Sequence, residues 1–163
     1  MNNIILIGMP GSGKSTFGKL LSQTLGKTFI DADTYLEEKE GKTIKELFTI
    51  GEDYFRDAEE RAIFDLSKKN ELIIATGGGV VKRGINIEHL KQSGMIVFID
   101  RHPDDIITDV EVGTRPLLAK GAERVYELYH ERITLYRESA DATVVNKGPR
   151  EDVLDRIIKL CKS

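Results

Sequence analysis

Apolar residues along this chain fall into two alternating patterns. Short, nearly unbroken apolar runs lie at 3–7, 28–31, 71–76, 95–100 and 142–146, and these predict β-strands. Between them the spacing changes to three and four residues. Phe17, Leu20, Leu21 and Leu25 share one helix face, as do Val125, Leu128, Tyr129 and Ile133, with Leu135 and Tyr136 near the end of that helix. Further helices are expected over about 34–40, around 51–59, from about 104, and over about 149–162. Alternation of this kind predicts an α/β fold with a mainly parallel sheet, and runs such as Ile4-Ile5-Leu6-Ile7 read as central strands covered on both faces.

In such sheets ligands sit beyond the carboxyl ends of the strands, so the residues there carry the functional reading. After the first strand comes Gly8-Met9-Pro10-Gly11-Ser12-Gly13-Lys14-Ser15-Thr16, a G-x-x-x-x-G-K-S phosphate loop that opens a helix. Its glycines let backbone N–H groups turn toward anionic oxygens, Lys14 reaches β- and γ-phosphates, and Ser15 offers a hydroxyl to Mg²⁺. The second strand ends in Asp31-Ala32-Asp33. In extended chain residues two apart point the same way, so one carboxylate is expected to hold Mg²⁺ through water while the other takes a proton from an acceptor hydroxyl. Asp33 is alternatively a helix cap. Gly77-Gly78-Gly79 follows the third strand and suggests backbone pressed close against a ligand, with a flexible turn as the alternative.

Arg56 and Glu59 lie three residues apart in a helical stretch and can pair on one face. Held in this way, the guanidinium can grip a carboxylate bidentately; an exposed salt bridge is the competing reading. After the fourth strand, a segment over about 111–122 carries Gly113, Pro116 and Gly121 around Arg115-Pro116-Leu117-Leu118. It reads as a mobile lid that brings Arg115 over transferring phosphates. Arg132 is a second candidate for an anionic group of the substrate.

Composition narrows the partners. The 163 residues carry a net charge of −3, which disfavours a nucleic-acid surface, and no apolar run approaches the length of a bilayer span. Cys161 is the lone cysteine, and the first residues do not read as a secretory signal, so a cytoplasmic location is expected. The three histidines lie far apart and do not suggest a metal site.

Taken together and in order, the phosphate loop, Asp31 and Asp33, Phe55-Arg56 with Glu59, Gly77-Gly79, Arg115-Leu118, and Arg132 with Tyr136 resemble the shikimate kinase family over essentially the whole chain. The resemblance implies a three-layer P-loop fold akin to nucleoside monophosphate kinases: a five-stranded parallel sheet in the order 2-3-1-4-5, flanked by helices. It implies one domain over 1–163, with the lid near 111–122 and a shikimate-binding region near 31–60. The implied reaction is ATP-dependent phosphorylation of the 3-hydroxyl of shikimate, giving shikimate 3-phosphate and ADP on the route to chorismate and aromatic amino acids. By the same resemblance Lys14, Asp33 and Arg115 are catalytic, and Asp33, Arg56, Gly78, Gly79 and Arg132 bind shikimate. Gly11, Ser12, Gly13, Lys14, Ser15, Thr16, Arg115, Lys147 and Pro149 hold the nucleotide, and Ser15 and Asp31 serve Mg²⁺, Asp31 through water. A monomer with no nucleic-acid or membrane partner is expected.

One departure stands out. Many members carry an arginine a few residues before R-P-L-L that stacks on adenine, and residues 107–112 offer no cation here. Lys147, Pro149 and Arg150 remain to build the adenine side. Other small P-loop kinases and a non-catalytic nucleotide switch are the rival readings: a nucleoside monophosphate kinase does not need the Arg56 and Arg132 pair, a gluconate kinase is not expected to carry Phe55-Arg56 with this R-P-L-L, and Asp33, Arg56 and Arg132 speak against the switch.

Overall fold

The computed structural model describes residues 2–109 and 121–162. Five parallel strands, β1 (Asn3–Ile7), β2 (Thr28–Asp31), β3 (Leu72–Ala75), β4 (Gly94–Asp100) and β5 (Ala142–Val145), form one sheet in the order β2-β3-β1-β4-β5. This is the topology implied by the resemblance, and the strand positions agree with the apolar runs to within one residue.

Both faces of the sheet are covered, which is why its strands read as unbroken apolar runs. Successive β1 side chains alternate: Ile5 and Ile7 join one core cluster, Ile4 and Leu6 the other. On the first face Ile63 and Leu66 of α4 (Glu52–Ser67), Leu90 of α5 (Gly84–Ser93), and Leu128 and Tyr136 of α7 (Ala122–Ser139) close over the sheet. On the second face lie Phe17 and Leu21 of α1 (Lys14–Leu25) and Val153 and Ile157 of α8 (Arg150–Lys162). Each side chain of this size, fully buried, contributes roughly 1.5–3 kcal/mol. Packing of α1 on β2 is close: a Cβ at Gly18 would lie 2.4 Å from the Phe29 ring, so a side chain there would push helix and strand apart.

A smaller cluster, with Leu36, Leu47, Phe55, Ala58 and Ala62 at its centre, joins α2 (Ala32–Glu40), α3 (Ile44–Ile50) and α4. Thr43 and Glu46 form a reciprocal capping box that starts α3. The helix expected from about 104 is α6 (Pro103–Asp109). Arg115 and most of the lid expected over about 111–122 lie outside the described part of the chain, and its last two residues, Gly121 and Ala122, are the cap and first residue of α7.

Candidate active site

The phosphate loop runs from β1 into α1 with Gly11 and Gly13 at φ +82° and +108°, backbone that side chains with a Cβ rarely adopt. No side chain caps α1 and no acidic residue sits in its first turn, so its first N–H groups face the cleft unopposed. Lys14 Nζ reaches back to donate to the carbonyls of Gly8 and Met9 at 2.6 and 2.8 Å. The Ser12 hydroxyl is buried and has no hydrogen-bond partner among the described residues. Two more side chains brace this loop: Asn146 donates to the Ser12 carbonyl at 2.8 Å, and Arg101 to the Gly11 carbonyl at 3.0 Å.

At the end of β2 the chain turns into helix at Ala32, earlier than the expected helix at about 34. Asp31, not Asp33, is the cap, accepting from the N–H groups of Asp33 and Thr34 at 2.9 and 3.1 Å. The extended-chain argument for paired carboxylates therefore fails, because Asp33 already lies in the first turn of α2. Both carboxylates nonetheless face the cleft. Ser15 Oγ donates to Asp31 Oδ2 at 3.3 Å, which places a hydroxyl and a carboxylate side by side beside the phosphate loop. Asp33 approaches Gly77 instead, where a Cβ would lie 2.9 Å from its Oδ1 and 3.3 Å from Glu59 Oε2.

The triple glycine follows β3, and Thr76 anchors it by donating through both N–H and hydroxyl to the Leu6 carbonyl. None of the three glycines has a positive φ; what they supply is space. A Cβ on Gly78 would meet Pro10 Cδ at 2.8 Å and Arg132 Nη1 at 3.2 Å, and one on Gly79 would meet Arg56 Nη2 at 2.4 Å. The turn thus lets Asp33, Glu59, Arg132 and Arg56 converge at van der Waals distance from backbone, with the phosphate loop against the same turn.

Arg56 and Glu59 are not the exposed ion pair of the competing reading. Both are buried, at 7% and 4% exposure, and Arg56 Nη1 donates to Glu59 Oε1 at 2.8 Å. The Phe55 and Phe48 rings lie 4.8 and 5.8 Å from the guanidinium carbon. Arg132, on α7, is 5% exposed, and among the described residues neither its Nη1 nor Arg56 Nε has a hydrogen-bond partner. Buried guanidinium N–H groups without acceptors are costly unless a ligand satisfies them.

Burial pushes Asp33 up to about 6, and the nearby charges of Glu59 and Asp31 add to the rise while Lys14 opposes it. Burial also raises Glu59, against the lowering effect of Arg56. A carboxylate poised in this way beside a phosphate cradle is suited to accept a proton at neutral pH.

On the opposite flank, Arg101, Asp105, Asn146, Lys147 and Gly148 line a cleft of about 220 Å³. Lys147 Nζ pairs with Asp105 at 3.0 Å, and Pro149 lies just before α8. Among the residues read from sequence, Asp33, Arg56 and Arg132 meet at the glycine turn with Gly78 and Gly79, against Pro10 of the phosphate loop, Asp31 pairs with Ser15, and Lys147 lies apart in the cleft beside Arg101. Asn146 and Arg101 were missed as supports of the phosphate loop. Their signal was present, since each follows the carboxyl end of a strand, the very place where site residues gather in such sheets. No group of three or more histidine, cysteine or acidic side chains suited to a metal occurs among the described residues.

A family model described as shikimate kinase matches residues 10–162. A shikimate kinase from Clostridium botulinum (strain Alaska E43 / Type E3) is 52% identical over 98% of this chain and 96% of its own length. Among solved structures, a shikimate kinase from Acinetobacter baumannii in complex with shikimate superposes with a TM-score of 0.90 at 34% identity, covering 98% of this chain and 92% of that one. The shikimate kinase from Aquifex aeolicus gives 0.83 at 36% identity over 98% and 95% of the two chains.

Proposed function

The chain belongs to the shikimate kinase family, and on that premise we propose how its own residues carry out ATP-dependent phosphorylation of the shikimate 3-hydroxyl. The observation that carries the assignment is the convergence of Asp33, Arg56 and Arg132 on a glycine turn that also abuts Pro10 of the phosphate loop. Acceptor and donor sites are then neighbours, and transfer is direct, without a phosphoenzyme.

Arg56 and Arg132 take the shikimate carboxylate; the Nη1 of Arg132 and the Nε of Arg56, buried without a hydrogen bond among the described residues, support this role. Gly78 and Gly79 bring backbone against the hydroxylated cyclohexene ring. Asp33 accepts the proton of the attacking hydroxyl, and its raised proton affinity matches that task. Residues 11–16 cradle the phosphates through backbone N–H groups, and Lys14 exchanges its carbonyl partners for β- and γ-oxygens. Arg115 is assigned to the same phosphates by the family resemblance, and Lys147 and Pro149 to the adenine.

The Ser15 hydroxyl and the Asp31 carboxylate, side by side, form a donor set suited to Mg²⁺, with Asp31 acting through water. Magnesium, when bound, would neutralise charge on the phosphate oxygens. We further propose a single domain acting as a cytoplasmic monomer without nucleic-acid or membrane partners. The net charge of −3 supports the absence of a nucleic-acid partner, and no helix among the described residues is long and apolar enough to cross a membrane.

A coupled ADP-release assay with shikimate, gluconate, nucleoside monophosphates or no acceptor tests the reading. ADP is expected with shikimate and Mg²⁺ only. Equal release without an acceptor would indicate a nucleotide switch, and release with another acceptor would indicate a different small kinase.

A further inference from the structure

The outer flank of Arg56 is occupied by an acidic side chain that the reaction as described does not use. Glu52, one helical turn before Arg56 on α4, places Oε2 3.6 Å from Arg56 Nε. That distance is an ion pair but too long for a hydrogen bond, and Nε, although buried, has no partner. The same oxygen accepts from Lys82 Nζ at 2.5 Å. Lys82 ends the 3-10 turn Val80–Lys82 that follows Gly79, so the lysine reaches Glu52 from the opposite wall. An open cleft of about 510 Å³ lies between these walls, lined by Gly51, Glu52, Asp53, Arg56, Lys82 and Arg83.

One carboxylate oxygen is therefore shared by two cations, and only the outer one is bonded. The neighbouring cation Arg83 is engaged elsewhere, with Asp57 and Glu60 at 2.7 and 3.3 Å, and leaves Lys82 as the tether. A carboxylate within reach of Arg56 Nε is also a competitor for any anionic ligand of that guanidinium. Released from Lys82, Glu52 needs to move by well under one ångström to hydrogen-bond Nε and block it.

We propose that Lys82 is a positioning residue that holds Glu52 off Arg56, so that the protein's own carboxylate does not engage the guanidinium in place of the carboxylate of the substrate. The inference rests on the reading of Arg56 as the carboxylate clamp. It makes Glu52 and Lys82 a tuning pair for the affinity of the anionic acceptor, outside the set of groups that touch it.

The test is a double-substitution cycle on the full-length enzyme, with KM for shikimate, KM for MgATP and kcat measured separately. Lys82→Ala is expected to raise the shikimate KM by about three- to five-fold, the size that a half-exposed charge pair can supply. The MgATP KM should move far less, a split that general loosening of the fold would not produce. In a Glu52→Gln background, where no competing charge remains, Lys82→Ala should leave the shikimate KM within about 1.5-fold of that background, since the pair has nothing left to release. An equal KM rise in both backgrounds would make Lys82 an independent cation at the mouth and overturn the proposal, as would no rise in either. Arg56→Ala serves as the separate check: if it does not raise the shikimate KM, the clamp itself is misassigned, whatever the cycle gives.

Discussion

The Tyr136 hydroxyl donates to the Gly78 carbonyl at 2.6 Å, a bond that ties α7 to the glycine turn. The ring is fully buried and stacks on Phe98 at 5.0 Å between centroids. Burial pushes the phenol up to about 12, so it remains a protonated donor throughout the working pH range, although Arg132 beside it pulls the other way. Arg132 lies one turn earlier on the same helix, and its Nη1 would be 3.2 Å from a Cβ on Gly78. Two parts of the proposed shikimate site, an arginine and a backbone turn, thus share one anchor.

Tyr136→Phe keeps the ring stacking and removes only the donor. The stranded carbonyl is expected to cost about 1–2 kcal/mol, read from urea denaturation. Because the turn and Arg132 lose their common support, KM for shikimate should rise more than KM for MgATP. Parallel changes in the two constants would reduce Tyr136 to a core residue.

Gly79→Ala separates space from backbone conformation. At φ −98° and ψ 11° any residue is tolerated, so the backbone itself is not strained. The new Cβ would lie 2.4–2.7 Å from Arg56 Nη2, Nη1 and Cζ, and the guanidinium must leave its place between Glu59 and the Phe55 ring. Arg56 is the flexible end of a long side chain, so the cost falls on the site more than on the fold. Shikimate kcat/KM is expected to fall on the order of ten- to a hundred-fold, as misplacement of a substrate-positioning group by about an ångström does. The melting temperature should stay near that of the parent. A variant with parental kcat/KM would show that Arg56 does its work from another position.

Much of this was legible in the sequence because the physics is local. The phosphate loop announces itself through glycines at positive φ and a lysine at fixed spacing, and the sheet through doubly buried runs such as Ile4 to Ile7. The Asp31 cap was read less well. Strand and helix meet there within one residue, and an Asp-x-Asp can cap with either member; the backbone N–H groups of Asp33 and Thr34 decide for Asp31. Burial of Arg56 and Arg132 was not legible at all, since a charged residue on a helix is ordinarily solvated and only the packing of the glycine turn against both encloses them. Asn146 and Arg101 sit just past strand ends, which points to them as site residues, but that they brace the phosphate loop rests on contacts 134 and 90 residues apart, which no local pattern encodes.

The last expectation sets stability against activity at Asp33. Its folded-state value of about 6 lies above the ordinary 3.8, so between those two points the folded chain binds more protons than the unfolded one. Stability then falls as pH rises from about 4 to about 6 and levels off above, the unfavourable term being the charged carboxylate in its buried place next to Glu59 and Asp31. Asp33→Asn removes the titration. In metal-free buffer near neutral pH the variant should be more stable than the parent by on the order of 1–3 kcal/mol, and the gap should close below about pH 4. Turnover should move in the opposite direction, dropping about 10²- to 10⁴-fold with loss of the proton acceptor. Urea melts of both proteins between pH 4 and pH 7 check the first half, and single-turnover phosphorylation of shikimate the second. A stability gap that does not widen with pH would mean that Lys14 already neutralises the carboxylate in the folded chain, and the raised proton affinity on which its role as base depends would be lost.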